Sequence, residues 1–292
     1  LYIKQKRCKI LGFFSLVSTT LLWGTSFAFI KLSVGLINPL TYTFTRTTLA
    51  SLILLPIILY RVLARGIDYK SLWYGFIVGL TYSTGLALQG AGTVYIEPSM
   101  SAFITGLATI HVHLYSALIK KKYSWLDLAA LVSAIIGLYV LTSPSGGLGL
   151  GGALVFAGSI MWALQVILIS RYGYSSIMEF LFGTFIAGVL YGPPALLAGL
   201  DLTLEAWIYI SYLAIVCSVG ATFFQVLGQR YISESTAAIV FLLEPVFATI
   251  FSILMGIEYI TVYKVVGGGL ILLSLYISTI AELKSHSEKH SK

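Results

Sequence analysis

Apolar residues in this 292-residue chain are gathered into ten runs, separated by short stretches where charged and turn-forming residues collect. A helix that crosses a bilayer needs about 20 predominantly apolar residues at about 1.5 Å rise each. The runs fall at 11–29, 41–60, 72–93, 99–119 and 125–142, then at 148–169, 177–197, 207–228, 236–255 and 262–281. The last five repeat the markers of the first five at a shift of about 136 to 139 residues. Trp23 recurs as Trp162, Pro56 as Pro193, Gln89 as Gln225, Tyr95-Ile96 as Tyr231-Ile232, Ser124 as Thr261, and Leu138-Tyr139-Val140 as Leu275-Tyr276-Ile277. The expected fold is an all-α membrane protein of ten transmembrane helices in two five-helix repeats. Because five is odd, the second copy enters the membrane inverted, and a polar site is expected at the interface of the halves near the bilayer centre.

The expected domains are a first repeat at 1–145, a second at 146–283 and a cytoplasmic tail at 284–292. Composition agrees: 58% hydrophobic and 10% charged residues, with a mean hydropathy of +0.93, leave no polar coat for a soluble fold.

The net charge of +7 would suggest nucleic acid or another anionic partner if it were not so unevenly placed. Fifteen of the 18 basic residues fall on one predicted side: Lys4, Lys6, Arg7, Lys9, Arg61, Arg65, Lys70, Lys120, Lys121, Lys122, Arg171, Arg230, Lys284, Lys289 and Lys292. The other side has Lys31 and Lys264 with Glu97, Asp201, Glu205 and Glu258, while Arg46 lies inside a span. The positive-inside rule then places both termini in the cytoplasm, makes the chain a multi-pass protein of the cell membrane, and leaves nucleic acid unneeded. The turn Ile119 to Ser124 carries three lysines and its repeat equivalent, Gly256 to Thr261, carries none, as inversion requires. The basic start and first apolar run read as an uncleaved helix, since the run is too long for a signal peptide and no small-x-small site follows. Cys8 and Cys217 fall in different environments, so neither a disulfide nor a metal site is expected.

Polar side chains inside the runs carry the chemical information, because lipid makes them costly. Tyr82 and Gln89 share a face of span three with Gly75 and Gly79, and span eight repeats this with Ser218 and Gln225, extended by Ser211, Thr222 and Gln229. An amide can both donate to and accept from a polar ligand, though it also serves as glue between helices. Trp162 shares a face with Gln165, and Trp23 and Trp162 are suited either to core packing or to lining a cavity.

Span four has a polar stripe of Ser101, Thr105, Thr109, His113, Ser116 and Lys120. His113 points with the stripe toward the cavity, whereas His111 points away as a buried structural histidine. The pair therefore cannot share a metal, and His286 and His290 read as solvated. Glu244, followed by Pro245, either couples transport to protons or forms an ion pair, with Arg46 as the partner. Pro245 is expected to loosen the helix one turn back. Gly75, Gly79, Gly188, Gly192 and Gly267 to Gly269 permit close helix approach. The Gly146 to Gly152 stretch reads as a connector without a phosphate-loop signature.

Leu22-Trp23-Gly24-Thr25-Ser26, Arg46, Ala102-Phe103-Ile104-Thr105-Gly106-Leu107, Glu244-Pro245-Val246-Phe247-Ala248 and Gly256-Ile257-Glu258 together resemble the drug/metabolite transporter superfamily, in its ten-helix EamA-type branch. The chain departs from that pattern at His113, where the branch has Pro, and at Lys121-Lys122, where it has Glu-Arg. The small multidrug branch relies on a glutamate in its first helix. Neither span one nor span six has an acidic residue here, so that mechanism does not transfer.

The resemblance implies a secondary transporter, an exporter of small metabolites such as amino acids, working by alternating access with optional proton linkage. On that model Trp23, Tyr82, Gln89, His113, Trp162, Gln165, Gln225 and Glu244 form the substrate site. The partners expected are a small-molecule substrate, the lipid bilayer and protons, with the chain acting as a monomer and using no cofactor or metal. A passive channel is the nearer alternative. A membrane-embedded transferase is the more distant one, since HExxH, GxSxG and CxxC are all absent. No P-loop is present for ATP-driven transport.

Overall fold

A computed structural model describes residues 2–119, 124–142, 149–173, 176–270, 272–274 and 276–277. The loop lysines 120–122, the connector residues 146–148 and the tail with His286 and His290 lie outside the described residues, as does the boundary between the expected domains. Among the described residues every regular element is helical: α1 (Tyr2–Leu36), α2 (Pro39–Ala64), α3 (Tyr69–Thr93), α4 (Pro98–Thr105), α5 (Ala108–Leu118), α6 (Trp125–Thr142), α7 (Gly149–Tyr172), α8 (Ile177–Ile186), α9 (Gly192–Ala198), α10 (Leu204–Tyr212), α11 (Ala221–Gln229), α12 (Glu234–Val240) and α13 (Leu243–Leu254). Among the described residues six stretches are long and apolar enough to cross a membrane: Arg7–Leu36, Pro39–Ala64, Gly149–Tyr172, Ile177–Ala198, Leu204–Gln229 and Glu234–Leu254. Shorter apolar helices lie at Leu128–Gly137 and Val262–Ser274. Large apolar side chains such as Leu63, Leu118, Leu197 and Leu204 face outward, as a lipid-solvated surface requires.

Local chemistry starts these helices where the sequence turns. Asn38 accepts from Leu40 N (2.9 Å) ahead of Pro39 at the first position of α2. Asp68 Oδ1 accepts from Lys70 N and Ser71 N (3.1 Å each), Thr203 caps α10 and Ser233 caps α12.

Four of the expected continuous spans are interrupted. Span nine breaks at Phe241 and Leu242, between α12 and α13. Pro245 has no N–H to give the Phe241 carbonyl, so Glu244 N turns to Phe241 O (3.0 Å) and Leu242 N to Ile239 O (3.0 Å). This is the loosening expected one turn before the proline.

Span four breaks at Gly106 and Leu107 with no proline in it. Tight turns replace the helical bonds there, from Leu107 N to Ile104 O (3.1 Å) and Thr109 N to Gly106 O (3.1 Å). Gly106 is the weak helix former, and a Cβ on it would meet Pro245 Cγ at 3.5 Å, so the two breaks lie against each other. The long polar stripe expected on one straight helix is therefore divided between α4 and α5. Span seven passes through a 3₁₀ turn, Ala187–Tyr191, and span eight through a π-helical stretch, Leu213–Gly220.

Helix α3 is clasped between α7 and α8 at backbone contact. A Cβ on Gly75 would fall 2.0 Å from Phe180 O, on Gly79 2.2 Å from Thr184 O, and on Gly183 2.1 Å from Leu72 O. Farther along, Gly92 and Gly151 approach each other, with Gly151 O 2.5 Å from a Cβ on Gly92. The expected packing role of Gly75 and Gly79 is seen here, and Gly188 packs on Thr47. Among the described residues nothing lies within 4 Å of a Cβ on Gly268 or Gly269. The main core joins Val78, Tyr82 and Leu86 of α3 with Phe180, Leu181 and Phe185 of α8, Ile169 of α7 and Val226 of α11.

Gly75→Val should lower the detergent-solubilised melting temperature sharply, by at least the about 1–3 kcal/mol typical of overpacking. Gly35→Val, at a site with nothing within 4 Å of a Cβ, should have a much smaller effect. Equal losses at both positions would contradict the clasp.

Candidate functional site

The clasp of α3 leaves a cavity where α1, α2, α3, α4, α5, α7, α12 and α13 converge with the two helix breaks. Trp23, Tyr82, Gln89, Trp162, Gln165 and Glu244 of the expected site border it. Ser26, Thr105, Thr109 and Phe241 add to its wall, and so does Arg46.

Repeat-equivalent residues touch one another at this cavity. The Trp23 and Trp162 rings lie 6.1 Å apart between centroids. Tyr82 and Ser218 are 136 residues apart in sequence, the same shift as Gln89 to Gln225, and Tyr82 donates its hydroxyl hydrogen to Ser218 Oγ at 2.9 Å. Farther out, Ser133 of α6 donates to Leu270 O (3.0 Å), a pair 137 residues apart. Equivalent positions in two copies meet only close to the axis that relates them. These contacts place the cavity between matching parts of the two halves.

The aromatic wall is orderly. Trp162 lies edge-on to Tyr82 (5.3 Å between centroids), while Trp23 packs on Phe241 (5.5 Å) and donates Nε1–H to Cys217 O (2.9 Å). Trp162 Nε1 is buried and has no hydrogen-bond partner among the described residues. Gln89 donates Nε2–H to Thr105 Oγ1 (3.1 Å), which fixes its amide at the α3 and α4 junction.

Two expected site residues stand elsewhere. Gln225 does not border the cavity. It forms a reciprocal amide pair with Gln165, each Nε2 donating to the other's Oε1 at 2.8 and 2.9 Å. Gln225 therefore acts as glue at the cavity's back, and its partner is the residue that faces inward. His113 is buried with Nδ1 bonded to Thr109 O at 2.8 Å and does not border the cavity. Thr109, one turn earlier on the same helix, borders the cavity instead. His111 holds to its structural role, with Nε2 3.2 Å from Ser159 Oγ.

Arg46 and Glu244 do not pair. Arg46 is 2% exposed and donates Nε–H to Ser218 Oγ (2.8 Å) and Nη1–H to Tyr42 OH (2.5 Å). Among the described residues the Glu244 carboxylate has neither hydrogen-bond nor ion-pair partner. The sequence marks Arg46 as a neutraliser of Glu244 and as part of the family pattern, without placing it in the substrate site. Its being the lone cation within the first two spans was the available signal that it belongs to the site.

Charged groups tie the cavity at one end. Lys31 Nζ donates to Thr93 O (2.9 Å), Val94 O (2.9 Å) and Ile96 O (3.1 Å), and Glu258 accepts from Ser99 N (2.8 Å) and Lys264 Nζ (2.6 Å). At the other end Ser116 meets Ser235 (2.8 Å), and Arg61 of α2 bridges to Glu179 of α8 at 2.6 Å.

The family model for EamA-like transporters matches the chain twice, over residues 10–143 and 149–280. The chain belongs to the EamA-like transporter family. As a member of it, the protein is a multi-pass membrane transporter of the drug/metabolite transporter superfamily. Two proteins of Archaeoglobus fulgidus, each named an uncharacterized transporter, are similar to this EamA-like chain. One is 26% identical over 91% of this chain and 84% of its own length, the other 27% identical over 90% and 96%. A protein crystal structure with 17% identity shares the fold at a TM-score of 0.72, over 95% of this chain and 98% of its own.

The amide pair can be tested by a double-mutant cycle. Gln165→Leu and Gln225→Leu should each destabilise the solubilised protein, and the double variant should recover part of the loss. A coupling of about 0.6 to 1.7 kcal/mol is expected for a hydrogen bond between membrane helices. Strict additivity in unfolding free energy would mean that the two amides act separately.

Proposed function

We propose that the chain is a secondary transporter that carries small metabolites, amino acids among them, across the cell membrane by alternating access around the aromatic cavity. Ten spans in two inverted repeats, 1–145 and 146–283, would form it, with both termini and the tail 284–292 in the cytoplasm. A single chain suffices, since the cavity is complete within one copy. The observation that carries this reading is the meeting of repeat-equivalent residues, Trp23 with Trp162 and Tyr82 with Ser218, around one cavity. Inverted copies that rock about such an axis expose the site to one side and then the other. Export is the direction the family resemblance favours.

In this reading Trp23, Tyr82, Gln89, Trp162 and Gln165 contact the cargo, Gln225 supports Gln165, and His113 braces α5 from behind. The broken helices supply the moving parts, since interrupted backbone is tolerated at membrane depth where it lines a cavity. Glu244 sits at the first turn after one break, facing the cavity with no partner among the described residues, where it can hold a proton or a cargo cation in turn.

Purified protein in liposomes should carry at least one labelled amino acid with saturable flux and counterflow, and an imposed pH gradient should drive it uphill. Glu244→Gln should abolish the response to the gradient while exchange at equal pH persists. Linear, non-saturating flux without counterflow would instead identify a passive channel. Flux in Glu244→Gln that still follows the gradient would remove Glu244 from coupling.

A further inference from the structure

We propose that Arg46 is the subsite for an oxyanion, a carboxylate or phosphate group on the transported molecule. The inference rests on the transporter reading above and adds the chemistry of the cargo.

A guanidinium carries five N–H donors and stays charged under all physiological conditions. Among the described residues Arg46 uses two of them, both on neutral hydroxyls, Ser218 Oγ and Tyr42 OH. No carboxylate among the described residues lies within ion-pair distance, although the side chain is 98% buried and borders the cavity. Burying a cation without a counter-charge is costly, and such groups in membrane proteins otherwise pair or face a water-filled path. The unused donors of Arg46 belong to a residue on the cavity wall, and a planar fork of N–H groups suits a bidentate oxyanion.

The hydroxyls serve as orienting groups. Ser218 Oγ accepts from Arg46 Nε and from Tyr82 OH, so it fixes the guanidinium plane relative to the aromatic wall. Ser218 belongs to the π-helical stretch Leu213–Gly220, a winding that often occurs at functional sites. Tyr42 approaches from one turn earlier on α2, its ring 5.8 Å from the guanidinium carbon.

The repeat sharpens the point. With the shift of 137 residues that relates Pro56 to Pro193, Arg46 corresponds to Gly183, which is packed on the backbone of α3. The second half thus has no matching cation, and the first half has no match for Glu244, whose counterpart at a shift of 136 is Ala108. The duplicated side chains build the walls, and the two unduplicated charges distinguish one end of the cargo from the other.

The test uses the full chain in nanodiscs and three matched probe pairs: benzoate against benzamide, L-phenylalanine against phenethylamine, and glycerol 3-phosphate against glycerol. Binding is read by quenching of tryptophan fluorescence, since Trp23 and Trp162 line the cavity, and by thermal shift. At least one acid should bind about 10- to 100-fold more tightly than its partner lacking the acid, the range expected for a charge-assisted site. Arg46→Gln should reduce that preference to less than about threefold, and Arg46→Lys should retain part of it. Ser218→Ala, which keeps the charge but loses its brace, should fall between wild type and Arg46→Gln. If Arg46→Gln gives no cooperative melt, the wild-type preference and the Ser218→Ala change decide the matter.

Equal binding within every pair, no binding by any probe, or a preference that survives Arg46→Gln would overturn the subsite. Flux of the same probes separates this from the transporter reading. Saturable flux without acid preference would leave a transporter and no oxyanion subsite, whereas acid-selective binding with no flux would leave the subsite and no transporter.

Discussion

The close backbone contact of α3 with α7 and α8 is the constraint on which the rest of the molecule depends. Bilayer supplies no hydrophobic force between helices, so association rests on packing and on bonds between polar groups. Gly75, Gly79 and Gly183 let backbones meet where a single Cβ would collide with a carbonyl oxygen. That contact turns Tyr82 and Gln89 toward the cavity and joins a helix of the first half to two helices of the second. The aromatic wall, the amide pair behind it and the arginine beside it all take their positions from this junction.

Around that fixed seam two interrupted spans join the continuous helices that border the cavity. The breaks at Gly106 and at Phe241 face each other, and the π-helical stretch lies behind Arg46 and Trp23. Each interruption frees backbone carbonyls that would otherwise be spent on helix bonds. Cys217 O, which receives Trp23 Nε1–H, and Ala238 O, which receives Thr109 Oγ1–H at 2.7 Å, put such carbonyls to use. Rigid packing and local irregularity thus occupy separate parts of the bundle.

Much of this was legible in the sequence. Trp23, Trp162, Tyr82, Gln89, Gln165 and Glu244 border the cavity, and a polar or amphipathic residue in an apolar run has few other places to go. The break before Pro245 was legible because a missing N–H acts at a known distance. Gln225 does not border the cavity: its expected face is counted along an uninterrupted helix of about 100° per residue, and the π winding before Ala221 shifts that phase with no proline to announce it. His113 follows Thr109 by one turn on the same α5, and its ring nitrogen is taken up by Thr109 O. Arg46 was visible as a charge within a span, but its partners, two hydroxyls on different helices, depend on tertiary packing that no periodicity encodes.

The contact between Tyr82 and Ser218 has an evolutionary corollary. In an assembly of two identical half-length chains, a residue on the symmetry axis faces its own copy, so two tyrosines would crowd the spot or two serines would leave it hollow. Fusing the halves into one polypeptide lifts that self-complementarity requirement, and a large side chain can be matched to a small one. The same freedom permits one arginine and one glutamate instead of two of each, which gives a symmetric scaffold an interior that has a direction.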